Sequence, residues 1–258
     1  MILGVLQARA SSTRLPGKVL LPILGKPMLA RQLERLRRVR QIDKLLVATS
    51  LDASDDRLAE LCADEGVECF RGDLDDVLSR FYHAALPYRP EYVVRLTGDC
   101  PLADPEVIDS MISFFLKGDY DYCSNCLEST YPDGLDAEIF SFSSLERSWA
   151  EAVLPSHREH VTPFINQQPE LFKLGCLKND TDLSHLRWTV DEPADFQLVT
   201  ELYEALYPQE PAFGMREILG LFEQKPQLLS LNGSFQRNEG FRESLEKDND
   251  FKRSNQHR

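Results

Sequence analysis

From Leu6 to Lys18 the chain reads Leu-Gln-Ala-Arg-Ala-Ser-Ser-Thr-Arg-Leu-Pro-Gly-Lys, which gathers three cations, Arg9, Arg14 and Lys18, around three consecutive hydroxyls. Both ingredients suit a polyphosphate. Guanidinium forks match pairs of phosphate oxygens, an ammonium adds a movable point charge, and hydroxyls and loop N–H groups fill the remaining lone pairs. The spacing is neither the GxxxxGK[ST] of a Walker loop nor the GxGxxG of a dinucleotide fold. A second polar set lies further on. Asp136 and Glu138 alternate along a strand-like run and so share a face, while Arg158, Glu159 and His160 open a helix. An ion-pair cluster between elements is the alternative reading of these charges.

The elements that position these residues follow from apolar periodicity. Ile2 to Leu6 and Leu45 to Ala48 read as buried strands, with a helix between them carrying Met28, Leu29, Leu33, Leu36 and Val39 after Pro27. A helix with Leu58 and Leu61, a strand from Val67 to Phe70, and a helix carrying Val77, Leu78 and Phe81 continue the alternation. Tyr92 to Leu96 is a strand halted at Thr97-Gly98-Asp99-Cys100-Pro101, and Asp104-Pro105 starts a helix through Phe115. Such alternation predicts an α/β fold, a mostly parallel sheet with helices on both faces. Ligands bind beyond the carboxyl ends of such strands, where Gln7, Thr49-Ser50 and Gly98-Asp99 all fall. After Asp119 the rhythm changes: a strand from Asp136 to Phe140, helices from Ser143 to Val153 and near His157, a strand from Leu186 to Val190, and a helix opened by Glu192-Pro193.

The formal net charge of −13 argues against a general nucleic-acid binder, yet residues 1–40 hold nine Lys or Arg against one acid. An anionic ligand would go to that segment, although Arg35, Arg37, Arg38 and Arg40 read as the solvated face of a helix. No signal peptide and no membrane-spanning apolar run is visible, so a cytoplasmic protein is expected, with its six scattered cysteines reduced. Cys123-Ser-Asn-Cys126 has no second pair or His cluster near it to complete a zinc site.

The loop, with Ala8, Arg9, Ser12, Arg14, Leu15, Pro16 and Lys18 in the pattern AR-x-x-S-x-R-L-P-x-K, closely resembles the signature of the sugar cytidylyltransferases, which make CMP-activated KDO, sialic and related nonulosonic acids. Further segments resemble the branch named for spore coat polysaccharide biosynthesis protein F. These are Arg95-Leu96-Thr97-Gly98-Asp99-Cys100-Pro101-Leu102, Tyr131-Pro132-Asp133-Gly134-Leu135-Asp136, Arg158-Glu159-His160-Val161-Thr162-Pro163, Arg187-Trp188-Thr189-Val190-Asp191 and Arg237-Asn238-Glu239-Gly240-Phe241. They cover nearly the whole chain.

The resemblance implies a nucleotide-diphospho-sugar transferase fold, Rossmann-like and GT-A-like. Residues 1–228 would form the nucleotidyltransferase domain, 119–180 an elaboration within it covering the crevice, and 229–258 a polar extension with a fraying end. CTP would be the donor, with Ser12, Gly98 and the Leu6-Gln7-Ala8 backbone in the nucleotide site and the Thr49 and Arg71 regions flanking the cytidine. Asp99 and Asp191 would hold catalytic Mg²⁺, which takes a few carboxylates together with phosphate oxygens and water. A turn role for Asp99 and helix capping beside Pro193 for Asp191 are the alternatives. The acceptor, a sugar acid or a related polyol, would meet Asp136, Glu138 and His160, with Arg158 able to hold an acidic sugar's carboxylate bidentately. A homodimer in surface polysaccharide assembly is the implied context. Two rivals are a glycosyltransferase of similar fold, using Asp119-Tyr-Asp121, and a nucleotide-binding protein without catalysis.

Overall fold

Two of the apolar runs read from the sequence form the centre of the sheet. The computed structural model describes residues 1–233, 237 and 239–256. Ile2–Gln7 (β1) is followed by a small ribbon of Pro22–Ile23 (β2) and Lys26–Pro27 (β3), and then by Lys44–Ser50 (β4), Glu68–Gly72 (β5) and Tyr92–Thr97 (β6). β1 pairs in parallel with both β4 and β6, and β4 with β5. Tyr122–Ser124 (β7), Glu138–Ser141 (β8) and Leu174–Cys176 (β9) complete the order β5-β4-β1-β6-β8-β7-β9. β8 runs against both its neighbours, and its register sets Glu138 beside Arg95.

Successive β1 side chains enter opposite cores, as strand geometry requires. Ile2 and Leu6 join the cluster beneath helices Met28–Leu36 (α1), Asp56–Asp64 (α2), Pro105–Lys117 (α4), Pro193–Leu206 (α8) and Met215–Gln224 (α9). Leu3 and Val5 join the one beneath Val77–Ala85 (α3), Phe142–Glu151 (α5) and Pro163–Asn166 (α7), with Pro155–His160 (α6) set against α3. Burial on both faces explains why β1 reads as an uninterrupted apolar run. Among the described residues no helix is long and apolar enough to cross a membrane, and all six cysteines are free thiols.

Three readings change. Leu186 to Val190 is extended but joins no ladder beyond one bridge between Arg187 and Asp133. Its N–H groups go elsewhere: those of Trp188 and Thr189 to the Asp133 carbonyl, and that of Val190 to the Asp99 carbonyl. Arg35 is buried, not solvated; its Nε donates to the Ala103 carbonyl at 2.8 Å, and its guanidinium lies over the Phe213 ring. The polar extension contains an 18-residue helix, Glu239–Gln256 (α10). α10 docks on α6 through polar groups, which apolar periodicity does not reveal. The buried Asp248 carboxylate accepts from Ser156 N at 2.8 Å and Oγ at 2.6 Å, and His160 Nε2 lies 2.8 Å from Ser244 Oγ. Asn238, within the Arg237 to Phe241 segment, and His257-Arg258, at the end expected to fray, lie outside the described residues.

Gly134 makes the approach of residues 187–189 possible. Its φ is +110°, and a Cβ there would stand 2.5 Å from Thr189 N and 2.6 Å from Trp188 C. Gly134→Ala is therefore expected to lower stability by about 3 kcal/mol in urea denaturation; a loss below about 1 kcal/mol would show that the segment yields. A second expectation concerns the α6–α10 contact. Burial and the Arg95 guanidinium push the His160 imidazole down to about 4. The unfolded chain takes this proton near the ordinary value of about 6.5, so stability is complete above that pH and falls as pH drops toward 4. His160→Gln should remove on the order of 1–2 kcal/mol of that acid dependence, read from urea midpoints at pH 4.5 and 7.

Candidate active site

The carboxyl ends of β1 and β6 open into a crevice of roughly 620 Å³. Close backbone packing makes its floor. Gly98 N donates to the Gln7 carbonyl at 2.8 Å, and a Cβ on Gly98 would meet the Ala8 Cβ at 2.8 Å, so this turn needs glycine. The loop after β1 is anchored by Asp55, which is fully buried: one carboxylate oxygen accepts from Ala10 N at 2.6 Å, the other from Ser50 N and Oγ at 3.0 and 2.5 Å. Gly17 in the left-handed region turns the chain back, its N–H on the Ala10 carbonyl at 2.9 Å.

That turn delivers Lys18 to the centre of the site. Its Nζ donates to the Val190 carbonyl at 2.7 Å and to Asp191 Oδ1 at 2.8 Å, and stands 3.8 Å from Asp99 Oδ2. Arg14 reaches the other Asp191 oxygen at 3.0 Å and Glu192 at 3.6 Å. Burial would raise the Asp191 carboxyl, but Lys18, Arg14 and Arg187 hold it below the usual carboxylate range. The backbones of the two aspartates are also tied, because Val190 N donates to the Asp99 carbonyl at 2.8 Å and Thr189 Oγ1 to the same oxygen at 3.2 Å. One cation, the Lys18 ammonium, thus already reaches both carboxylates. The donor set fits a hard divalent ion completed by phosphate oxygens and water.

Behind Asp191 stands a pair that sequence reading missed. Arg187 Nε and NH2 each donate to an Asp195 oxygen at 2.9 Å, and Asp195 is fully buried. Asp195 also accepts from Asp191 N at 3.0 Å, Glu192 N at 2.9 Å and Asn232 Nδ2 at 2.8 Å. Arg187 also reaches Asp133 at 3.3 Å and Asp191 at 3.4 Å. Arg187 sits in a motif quoted above, whereas Asp195 lies eight residues on, at the third position of the helix opened by Pro193, where an acidic residue reads only as a cap.

On the other side of the crevice, Glu138 Oε1 accepts from Tyr122 Oη at 2.5 Å and Thr162 Oγ1 at 2.7 Å, while its second oxygen pairs with Arg95. Asp136 pairs with Arg237. Burial and the neighbouring Asp136 push the Asp133 carboxyl up to about 7, against the pull of Arg237 and Arg187.

The structure therefore brings Gln7, Ala8, Arg9, Ser12, Arg14, Lys18, Gly98, Asp99, Asp136, Glu138, His160 and Asp191 to one crevice. It does not bring four others there. Leu6 is buried in the core and Thr49 is fully enclosed on β4. Arg71 staples the chain leaving β4, with Nε on the Ser50 carbonyl at 2.8 Å and NH1 on Asp56 at 2.8 Å. Arg158 turns toward α3, pairing with Asp76 and donating to the Trp149 carbonyl at 2.8 Å. Arg80, Arg95, Ser244 and Lys247 line the crevice and had no assigned role. Asp119 and Asp121 lie outside its lining, both bonded to Lys173.

Comparison with known proteins agrees with this architecture. The family model described as cytidylyltransferase matches residues 3–232. The spore coat polysaccharide biosynthesis protein SpsF of Bacillus subtilis is 33% identical over 87% of this chain and 95% of its own. The uncharacterized protein MJ1063 of Methanocaldococcus jannaschii is 37% identical over 94% and 98%. Among solved structures, a cytidylyltransferase from Leptospira borgpetersenii superposes with a TM-score of 0.85 at 32% identity, covering 92% of this chain and 99% of that one. A CMP:2-keto-3-deoxy-manno-octonic acid synthetase complexed with CTP shares the fold, with a TM-score of 0.62 at 18% identity over 79% and 98%. With a family model and relatives that each span nearly all of its length, the chain belongs to the cytidylyltransferase family and is a CTP-dependent nucleotidyltransferase.

Proposed function

We propose that the protein transfers CMP from CTP to a hydroxyl of a sugar-type acceptor, releasing pyrophosphate, in the assembly of a surface glycan. The observation that carries this reading is Lys18 Nζ, held between Asp191 and Asp99 at the mouth where Arg9 and Arg14 also stand. The acceptor oxygen attacks the α-phosphorus from the side of Asp136 and Glu138, and the bond to the β-phosphate breaks. Arg9, Arg14 and Lys18 hold the departing pyrophosphate through charge-assisted hydrogen bonds. Asp99 and Asp191 would hold Mg²⁺, which when bound neutralises charge on the α-phosphate. The hydroxyl's proton goes to Asp133, a carboxylate whose affinity near neutrality suits a general base. Arg158, expected to hold an acidic sugar's carboxylate, pairs with Asp76 instead, so the acceptor is specified here only by its hydroxyl.

Pyrophosphate release and nucleotide binding test this reading. CTP should bind better than ATP, GTP or UTP, and Asp99→Asn and Asp191→Asn should each lower kcat by about 100-fold or more. Retained turnover in either variant would remove that residue from the site. In the wild type, kcat/KM should rise with pH through about 7 as Asp133 loses its proton, and Asp133→Asn should abolish that limb. Asp195→Asn should leave Arg187 half-satisfied and destabilise the fold by roughly 3 kcal/mol in urea denaturation.

A further inference from the structure

With Arg158 committed to Asp76, the charge on the acceptor half of the crevice is set by other residues. Four carboxylates border it: Asp133, Asp136, Glu138 and Glu159. Each cation described beside them is already bound to a carboxylate. Arg95 pairs with Glu138, Arg237 with Asp136, and Lys247 with Glu159 at 3.1 Å. Arg187 donates twice to Asp195, behind the crevice, at 2.9 Å, and stands 3.3 Å from Asp133. Arg237 reaches Asp133 only at 3.7 Å. His160, with its affinity for a proton depressed by burial and Arg95, is uncharged at neutral pH. Among the described residues this half is therefore neutral to negative, whereas at the mouth Arg9, Arg14 and Lys18 outnumber Asp99 and Asp191.

An entering carboxylate or phosphate would have to pull a cation out of one of these pairs, of which Lys247–Glu159 is the more exposed, and leave a carboxylate uncompensated. A hydroxyl makes no such demand. Each carboxylate oxygen has two acceptor sites, so Asp133, Asp136 and Glu159 can take a hydroxyl proton while keeping their cations. We infer that the acceptor is a polyhydroxylated compound bearing no acidic group, read through its hydroxyls by Asp133, Asp136 and Glu159, and that the ion pairs around them exclude sugar acids. This rests on the nucleotidyl-transfer reading above and narrows its acceptor.

The test uses the full chain with Mg²⁺ and saturating CTP. Pyrophosphate release is followed with hexonates, hexuronates and nonulosonic acids, each beside the alcohol in which the carboxylate is reduced to CH₂OH. Turnover on at least one alcohol is expected, with kcat/KM higher than for its matched acid by roughly tenfold or more. Equal or better turnover on the acid overturns the inference, and so does the absence of turnover on every alcohol. CTP binding by the same preparation separates the two readings: its loss removes the proposed function, whereas CTP binding combined with a preference for acids removes only this inference. Glu159→Gln, which releases Lys247, should shift the acid-to-alcohol ratio toward the acid by roughly threefold or more. An unchanged ratio would mean that this pair does not set the discrimination.

Discussion

The bidentate bond between Arg187 and the fully buried Asp195 is the constraint on which the site depends. A buried ion pair adds little net stability, because desolvation offsets most of the attraction, but an unpaired member is costly. The pair is therefore kept whole by everything around it. Asp195 gathers the N–H groups of Asp191 and Glu192 and the Asn232 amide, and Arg187 extends to Asp133 and Asp191. Three stretches of chain far apart in sequence, near 133, 191 and 232, are fixed relative to one another by one guanidinium and one carboxylate. Asp191 is thereby aimed at Lys18 before any ligand arrives, which is what electrostatic preorganisation requires.

The single reversed strand in the sheet has a matching role. β8 runs against β6, so the chain preceding it arrives at the end where β1 and β6 finish. Asp133, Asp136 and Glu138 consequently stand beside the carboxyl ends of the parallel strands. A parallel β8 would have placed these residues at the opposite edge, away from the loop after β1.

Much of this was legible in the residues. The alternation of strands and helices was read correctly because β1, β4 and β6 are buried on both faces, and such runs have few other solutions. The loop from Leu6 to Lys18 was visible because its cations and hydroxyls follow a strand end, where side chains must face outward. Direction within the site was not legible. Arg158 directly precedes Glu159 and His160, which line the crevice, and only the position of Asp76 on the neighbouring helix start decides that it turns away. Likewise Leu186 to Val190 has strand composition, but Gly134 admits the 133 carbonyl so closely that two N–H groups are captured by one acceptor. The docking of α10 rests on Asp248, Ser244 and Lys247, and a helix held by polar bonds carries no apolar stripe to read.

That helix lies beyond residue 232, where the family match ends, yet Ser244 and Lys247 form part of the crevice wall. The loop after β1 and the two aspartates lie within the matched span, while part of the crevice wall comes from a helix joined to α6 by polar contacts. A substitution on that helix face alters the crevice wall without touching the contacts that join Lys18 to Asp99 and Asp191. One helix face thus shapes the crevice independently of the charged cluster at its mouth.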